Sequence, residues 1–394
     1  MVRFSQFVRR TPLAWFNLTY ERRRLLTSLA GVAFSVLLMF IFRGFENALY
    51  DSQVQLLKLL NGDVVLISPL KNNMFVPEQI ARQRLYQAQA YAGVEAAYPL
   101  YTTTAYWKNP ETRRTRPLRV IAFNLSDPVL QLPGITESLR QLQMPWTALL
   151  DQRSRPEVGS GAAGTLTEVD EQQIKVVGSF ELGTDFASGN GNVVMSDQNF
   201  LRYFGRLGPD EDSRDLSTID LGLLKLAPDQ APDVLARTLS EALPKDVKVM
   251  TKAEFVEQEL NYWRENTSIG FVFSLLAVMS FAVGIILVYQ ILYTDISDHW
   301  SEYATLKAMG YSNLYLLGVV IQEAVILAVM GFIPGCLVSA GLYKLTANAT
   351  GLLMQMTQTR IINLFIATVL MCLISGAIAV RKVQTADPAE VFGL

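Results

Sequence analysis

Four long apolar runs punctuate the chain. Residues 25–42 carry no charge between Arg24 and Arg43, residues 266–294 none between Glu265 and Asp295, and residues 361–380 none between Arg360 and Arg381. A fourth run, 308–343, holds one ionisable residue, Glu323. A bilayer core ~30 Å thick needs about 20 helical residues, so each run predicts one membrane-crossing helix. The expected spans are 25–45, 267–294, 313–343 and 361–380. The second and third of these exceed the core thickness, and Pro334, between Gly331 and Gly335, marks a kink.

The segment between the first two runs, 46–266, has a different rhythm. Short β-branched and aromatic stretches predict strands at 63–67, 94–107, 118–124, 174–180, 192–195, 219–226 and 247–250. Helical periodicity falls between them, at 77–90, 197–204, 232–242 and 252–263. The fold class is therefore membrane α-helical, four transmembrane helices with a large mixed α/β extracytoplasmic domain. Residues 125–215 are richer in Pro and Gly and predict an inserted lobe within it.

Charge supplies the orientation. Arg3, Arg9, Arg10, Arg22, Arg23 and Arg24 all precede the first run, which places the N-terminus in the cytoplasm by the positive-inside rule. Four crossings then put 46–266 outside, 295–312 inside, 344–360 outside and the tail 381–394 inside. The first run begins 24 residues in and has no A-x-A site before Tyr50, so it reads as a retained helix and not a cleaved signal. Phe4, Phe7, Trp15 and Phe16, interleaved with arginines, make 1–24 an interfacial segment expected to contact membrane lipid on the inner leaflet. The only cysteines, Cys336 and Cys372, lie in apolar runs, so the polar domain folds without disulfides.

Catalytic chemistry is hard to place on this chain. There is no G-x-x-x-x-G-K-[ST] sequence and no Gly-Lys dipeptide, so ATP phosphates are not held in the P-loop manner, and Gly159–Gly164 reads as a flexible loop. One histidine, His299, and no paired cysteines exclude the usual zinc sites. No cofactor or metal bound by the chain is expected, and the basic N-terminus suits a membrane surface better than nucleic acid.

The turn 295–312 is the informative segment. It opens with Asp295 and Asp298, sets Tyr303, Leu306 and Met309 at three-residue spacing, and closes at Gly310, a residue suited to a left-handed C-cap. This predicts a short amphipathic helix, either a membrane-surface connector or a knob for a partner groove. In the next run Gln322 and Glu323 stand out. An acid near the bilayer centre costs ~2.5 to 3.5 kcal/mol and is usually paired or functional, and a structural partner across a dimer is favoured over a proton relay. In the outer domain, 107–116 predicts a hairpin tip bearing Arg113, Arg114 and Arg116. Residues 180–186 form an apolar-glycine loop, lipid-accessible or part of the core.

The stretch Glu302-Tyr-Ala-Thr-Leu-Lys-Ala-Met-Gly310, followed by Gln322-Glu323-Ala324, resembles the coupling segment of FtsX-like permeases, the group that includes MacB, LolC and LolE. Pro12-Leu-Ala-Trp15, Gly178 to Thr184, Ser196 to Phe204, Gly331 to Gly335 and Asp387 to Phe392 narrow the resemblance to DevC-type permeases of cyanobacteria. The resemblance implies a porter-like outer domain with an inserted lobe and a homodimer in the bacterial inner membrane. It also implies two copies of a separate ABC ATPase that binds ATP and Mg, a periplasmic membrane-fusion adaptor, a TolC-like outer-membrane duct and export of a glycolipid or other amphiphile. Only 24 residues precede the first run, so the ATPase is expected in trans, unlike MacB. On this resemblance His299, Trp300, Glu302, Tyr303, Leu306, Lys307, Met309 and Gly310 would couple to the ATPase, and Arg113, Arg114 and Arg116 would contact the adaptor. The basic residue common early in the motif is missing, with Trp300-Ser301 in its place. The expected stroke passes from the 295–310 helix into the second span, taken as continuous with 252–263. An FtsX-like transducer acting on a periplasmic hydrolase, and a membrane receptor, are the alternative readings.

Overall fold

The computed structural model describes residues 13–20, 22–185, 189–205 and 217–384. The chain divides into two compact units. One comprises Asn47–Gly270 with Thr346–Leu353, and the other the residues up to Glu46, Phe271–Leu345 and those from Met354 onward. Arg3, Arg9, Arg10, Phe4, Phe7, Phe186, the 387–392 motif and the last ten residues of the tail lie outside the described residues.

Helix α1 (Leu13–Tyr20) is followed directly by α2 (Arg22–Leu59). The apolar run accounts for less than half of α2, and the helix continues past the expected end at 45. The extra turns are stabilised by packing, because Val54, Leu56 and Leu57 are buried in the domain that follows.

That domain is built on nine strands: β1 (Val64–Ile67), β3 (Val94–Lys108), β4 (Thr115–Phe123), β5 (Thr147–Asp151), β6 (Leu166–Val169), β7 (Gln172–Phe180), β8 (Asn192–Ser196), β10 (Leu221–Leu226) and β11 (Lys248–Thr251), in the order β11-β1-β10-β3-β4-β8-β5-β7-β6. Two short strands, β2 (Ile80–Ala81) and β9 (Thr218–Ile219), pair separately. The 15-residue β3 organises the sheet. Its first half pairs with β10, its second with β4, and its end with β6 through Trp107↔Val169 and Lys108↔Glu168. The last pairing closes the ring β3-β4-β8-β5-β7-β6, so none of these six strands is left as an edge, and β11 is the remaining edge of the sheet.

Residues 125–215 therefore differ from the expected inserted lobe. Their strands do not form a sheet of their own but complete a ring with β3 and β4. Alternation explains why the strands read as continuous apolar runs. Val64 and Leu66 enter one core and Val65 and Ile67 the other; Val120 and Ala122 are likewise split from Ile121 and Phe123. A sheet buried on both faces needs apolar residues at both parities.

Helices α3 (Arg82–Gln89), α4 (Leu139–Leu142), α5 (Asp197–Phe204), α6 (Pro232–Ala242) and α7 (Lys252–Glu265) complete this unit. α7 opens with a reciprocal capping box between Thr251 and Glu254. Glu259, fully buried on α7, accepts the Met74 backbone N–H at 2.9 Å and the Trp263 indole N–H at 2.8 Å. Burial pushes its carboxyl above the ordinary glutamate value despite these donors.

The second unit contains α8 (Ser268–Asp298), α9 (Trp300–Ala308), α10 (Asn313–Thr350) and α11 (Gln358–Gln384). Among the described residues, α2, α8, α10 and α11 are long and apolar enough to cross a membrane. Three expectations are corrected. The helix of the 295–312 turn is only Trp300–Ala308, because 295–298 is the last turn of α8. α10 runs to Thr350 with Pro334 inside it, which shortens the expected 344–360 loop to 351–357. α8 is not continuous with α7, since the helix ends at Asn266 and restarts at Ser268.

α2 and α10 pack closely through Gly331 and Gly335. A Cβ at either would fall 2.6 or 2.8 Å from the Val32 or Val36 side chain, the small-xxx-small spacing that lets helix backbones approach. The Tyr343 hydroxyl donates to the Phe40 carbonyl at 2.6 Å across the same contact.

Trp107 closes the ring with its indole N–H donated to the Val158 carbonyl. Trp107→Ala should cost about 3 to 5 kcal/mol, read from chemical unfolding of the full chain in detergent. Glu259 gives a pH prediction. Its folded-state pKa lies above the unfolded one, so it favours the fold at low pH and loses that contribution as pH rises from the ordinary value of 4.5 through the folded value. Glu259→Gln should flatten this part of the stability profile, measured as unfolding midpoints across that window.

Candidate functional site at the junction of α8 and α9

The last turn of α8 carries Asp295 and Asp298, the wrong sign of charge for a helix C-terminus. The first turn of α2 carries Arg22, Arg23 and Arg24, the wrong sign for an N-terminus. The two ends correct each other. Arg24 Nη1 lies 2.8 Å from Asp298 Oδ2, and Nη2 lies 3.3 Å from Asp295 Oδ1. The Asp295 side chain is 5% exposed and that of Asp298 57%, so the guanidinium bridges a buried acid and a solvated one.

His299 and Glu323 complete the cluster. His299 Nδ1 sits 3.1 Å from the Asp295 carbonyl and 4.0 Å from its carboxylate. Glu323, fully buried on α10, lies beside the Asp295 side chain. Gln322, one residue earlier, is half-buried.

His299 interrupts the helix with φ −94° and ψ 17°, and α9 restarts at Trp300 with Glu302 and Tyr303 N–H groups donating to the His299 carbonyl. The far end is closed by Gly310 at φ +90°, a conformation costly for any residue with a Cβ. Its N–H donates to the Lys307 carbonyl and that of Tyr311 to the Leu306 carbonyl, so the orphan carbonyls of the last turn are satisfied.

The expected stripe Tyr303, Leu306, Met309 does not lie on one face. Tyr303 is buried, Leu306 half-buried and Met309 63% exposed. Three residues turn an α-helix by about 300°, so a strict three-residue repeat precesses around it. Tyr303 and Ala304 anchor α9 in the helical core with Trp300 and Leu306 packed alongside. Glu302 and Met309 are exposed and Lys307 half-buried. Beyond Gly310, Tyr311 and Leu314 are exposed too, Leu314 at 75%. Sequence reasoning stopped at the glycine and missed this extension, which the apolar residues just past the C-cap could have indicated.

The two outer-domain candidates lie elsewhere. Arg113, Arg114 and Arg116 do sit on the β3–β4 hairpin, whose tip is held by Asn109 accepting the N–H groups of Glu111 and Thr112. Arg113 is 3.8 Å from Glu168, Arg114 is exposed and Arg116 half-buried. In the 180–185 loop Phe180, Leu182, Thr184 and Asp185 are all buried. Asp151 accepts the N–H groups of Leu182 and Gly183, and Arg119 pairs with Asp185 at 2.6 Å. This loop belongs to the core and not to a lipid-facing surface.

Residues 274–388 match the family described as FtsX-like permease C-terminal. Apart from Thr346–Leu353, the match lies within the helical unit. The matched segment contains α9, Glu323 and the exposed 309–314 extension, and covers less than a third of the chain. Among solved structures, the periplasmic region of MacB from Actinobacillus actinomycetemcomitans aligns at 10% identity and a TM-score of 0.35, covering 52% of this chain and 95% of that one. The extracellular domain of the ABC-type transporter YknZ from Gram-positive bacteria aligns at 12% identity and 0.33, covering 48% and 100%. No curated protein matches the chain by sequence.

The split of α9 into an anchored and a solvated face predicts opposite stability effects. Tyr303→Ala should destabilise the helical unit by about 3 to 5 kcal/mol through loss of a buried aromatic. Met309→Ala should stay within about 0.5 kcal/mol. Thermal midpoints in detergent measure both.

Proposed function

We propose that this chain is the permease subunit of an ABC exporter, converting the stroke of a separate ATPase into movement of an extracytoplasmic domain. The observation that carries the reading is the FtsX-like permease match over 274–388, which contains a short helix anchored by one face and solvated on the other. In this reading α2, α8, α10 and α11 cross the inner membrane, both termini are cytoplasmic, and Glu302, Met309, Tyr311 and Leu314 meet the ATPase. The sequence holds no P-loop, which fits ATP and Mg binding in that partner.

Further assembly follows the DevC-type resemblance: a homodimer with two ATPase copies, an adaptor met at Arg113, Arg114 and Arg116, a TolC-like duct, and a glycolipid cargo. The stroke is a population shift, since an ATPase that bound two permease conformations equally would move neither. α7 and α8 are separated by Asn266 and Thr267, whereas α2 and α10 are each unbroken helices with residues in both units. Those two helices carry the movement.

The test is affinity capture of the full chain from its native membrane after mild crosslinking. An ABC ATPase, an adaptor and an outer-membrane duct are expected together. Met309→Asp with Leu314→Asp should cut ATPase recovery at least about tenfold, the effect of two central contacts, while leaving the thermal midpoint unchanged. Capture of a cell-wall hydrolase without adaptor and duct would favour the transducer reading, and absence of any ATPase would overturn both.

A further inference from the structure

The arginines before the first apolar run do not share one role. Arg22 and Arg23 are exposed, as residues at a membrane surface should be, whereas Arg24 turns toward Asp295 and Asp298. Those acids sit one and four residues before His299, where the chain leaves α8 and enters α9. One guanidinium placed between two carboxylates, at 2.8 Å from Asp298 and in a longer ion pair of 3.3 Å with Asp295, ties the start of α2 to both acids at once.

We propose that Arg24 is a positioning residue that sets the direction in which α9 leaves α8, and so fixes the resting pose of the surface offered to the ATPase. The clasp has an asymmetric build. The Asp295 arm is buried and further held by Glu323 and His299, and it anchors. The Asp298 arm is solvated, where an ion pair contributes little and breaks readily, and it yields. A push on α9 opens the outer arm first while the inner arm keeps α2, α8 and α10 together. The two remaining arginines stay free for anionic headgroups. The proposal rests on the permease reading for its functional consequence, but the geometry it assigns can be measured on the permease alone.

Hydrogen exchange by mass spectrometry on the full chain in lipid nanodiscs reads the amides of residues 296–305 directly. Arg24→Gln should speed their exchange about tenfold or more, with the outer domain and the middle of α10 unchanged. Arg24→Lys, whose ammonium cannot bridge both acids, should restore part of the protection. Asp298→Asn, which removes only the solvated arm, should produce a smaller increase. Unchanged exchange in Arg24→Gln overturns the proposal. Uniformly faster exchange throughout the helical unit in both Arg24→Gln and Asp298→Asn also overturns it, because Arg24 would then support general stability and not a local angle. With the co-purified ATPase added, Arg24→Gln should lower the stimulation of ATP turnover several-fold while leaving ATPase affinity within about twofold, a split that lost folding would not give. If wild type recruits no ATPase, the permease reading fails while the exchange result still decides the clasp.

Discussion

A charged side chain among apolar helices must find a partner or abandon its charge, and that constraint governs the junction of α8 and α9. Glu323 is fully buried, Asp295 nearly so, and neither could persist there alone. The two carboxyl groups, the Arg24 guanidinium and the His299 ring form one cluster drawn from three helices and the turn after α8. Because this cluster fixes where α8 ends, it also fixes where α9 begins. Tyr303 and Ala304 are then buried on one side of α9, while Glu302 and Met309 stay exposed on the other.

The outer domain meets the same constraint with different means. Its sheet is covered on both faces, so backbone groups are paired by closing six strands into a ring and not by helices alone. Loop backbone is satisfied by buried side chains. Asp151, 1% exposed, holds Leu182 and Gly183 N–H groups together with the Asn192 amide. Arg119 and Asp185 place a buried ion pair beside them, with Arg119 also lying over the Phe75 ring at 4.6 Å. These buried polar groups serve the architecture of the domain itself.

What could be read from sequence was whatever one element decides by itself. The apolar runs revealed four long helices, and α5 and α6 matched expectation to the residue, Asp197–Phe204 and Pro232–Ala242, because Ser196 caps one and Pro232 opens the other. Features decided by two distant segments were not legible. The turns of α2 beyond 45 are helical because they pack on strands, and β5 and β6 went unnoticed because ring closure, not a long periodic pattern, makes them strands. Arg24 was legible only as one positive charge among six; nothing near it in sequence announces Asp295. The spacing of Tyr303, Leu306 and Met309 suggested a common face, but its residues rotate from core to solvent.

Mechanical transmission depends on where hydrogen-bond ladders continue. A tilt passes along a helix only while its ladder is intact, and between α7 and α8 it is interrupted, with Thr267 donating its hydroxyl to the Trp263 carbonyl in place of a helical amide bond. α10 is helical throughout from Asn313 to Thr350, although Pro334 inside it has no N–H and leaves one rung of its ladder unmade. One end holds Glu323 in the junction cluster, and the last residues, Thr346–Leu353, belong to the outer unit. There Gly351 turns the chain at φ +71°, and a Cβ would stand 2.9 Å from the Arg153 carbonyl and 3.1 Å from the Thr184 hydroxyl. Thr184 in turn adjoins the loop that Asp151 and Arg119 hold in place. α10, which carries Glu323, thus ends beside the 180–185 loop.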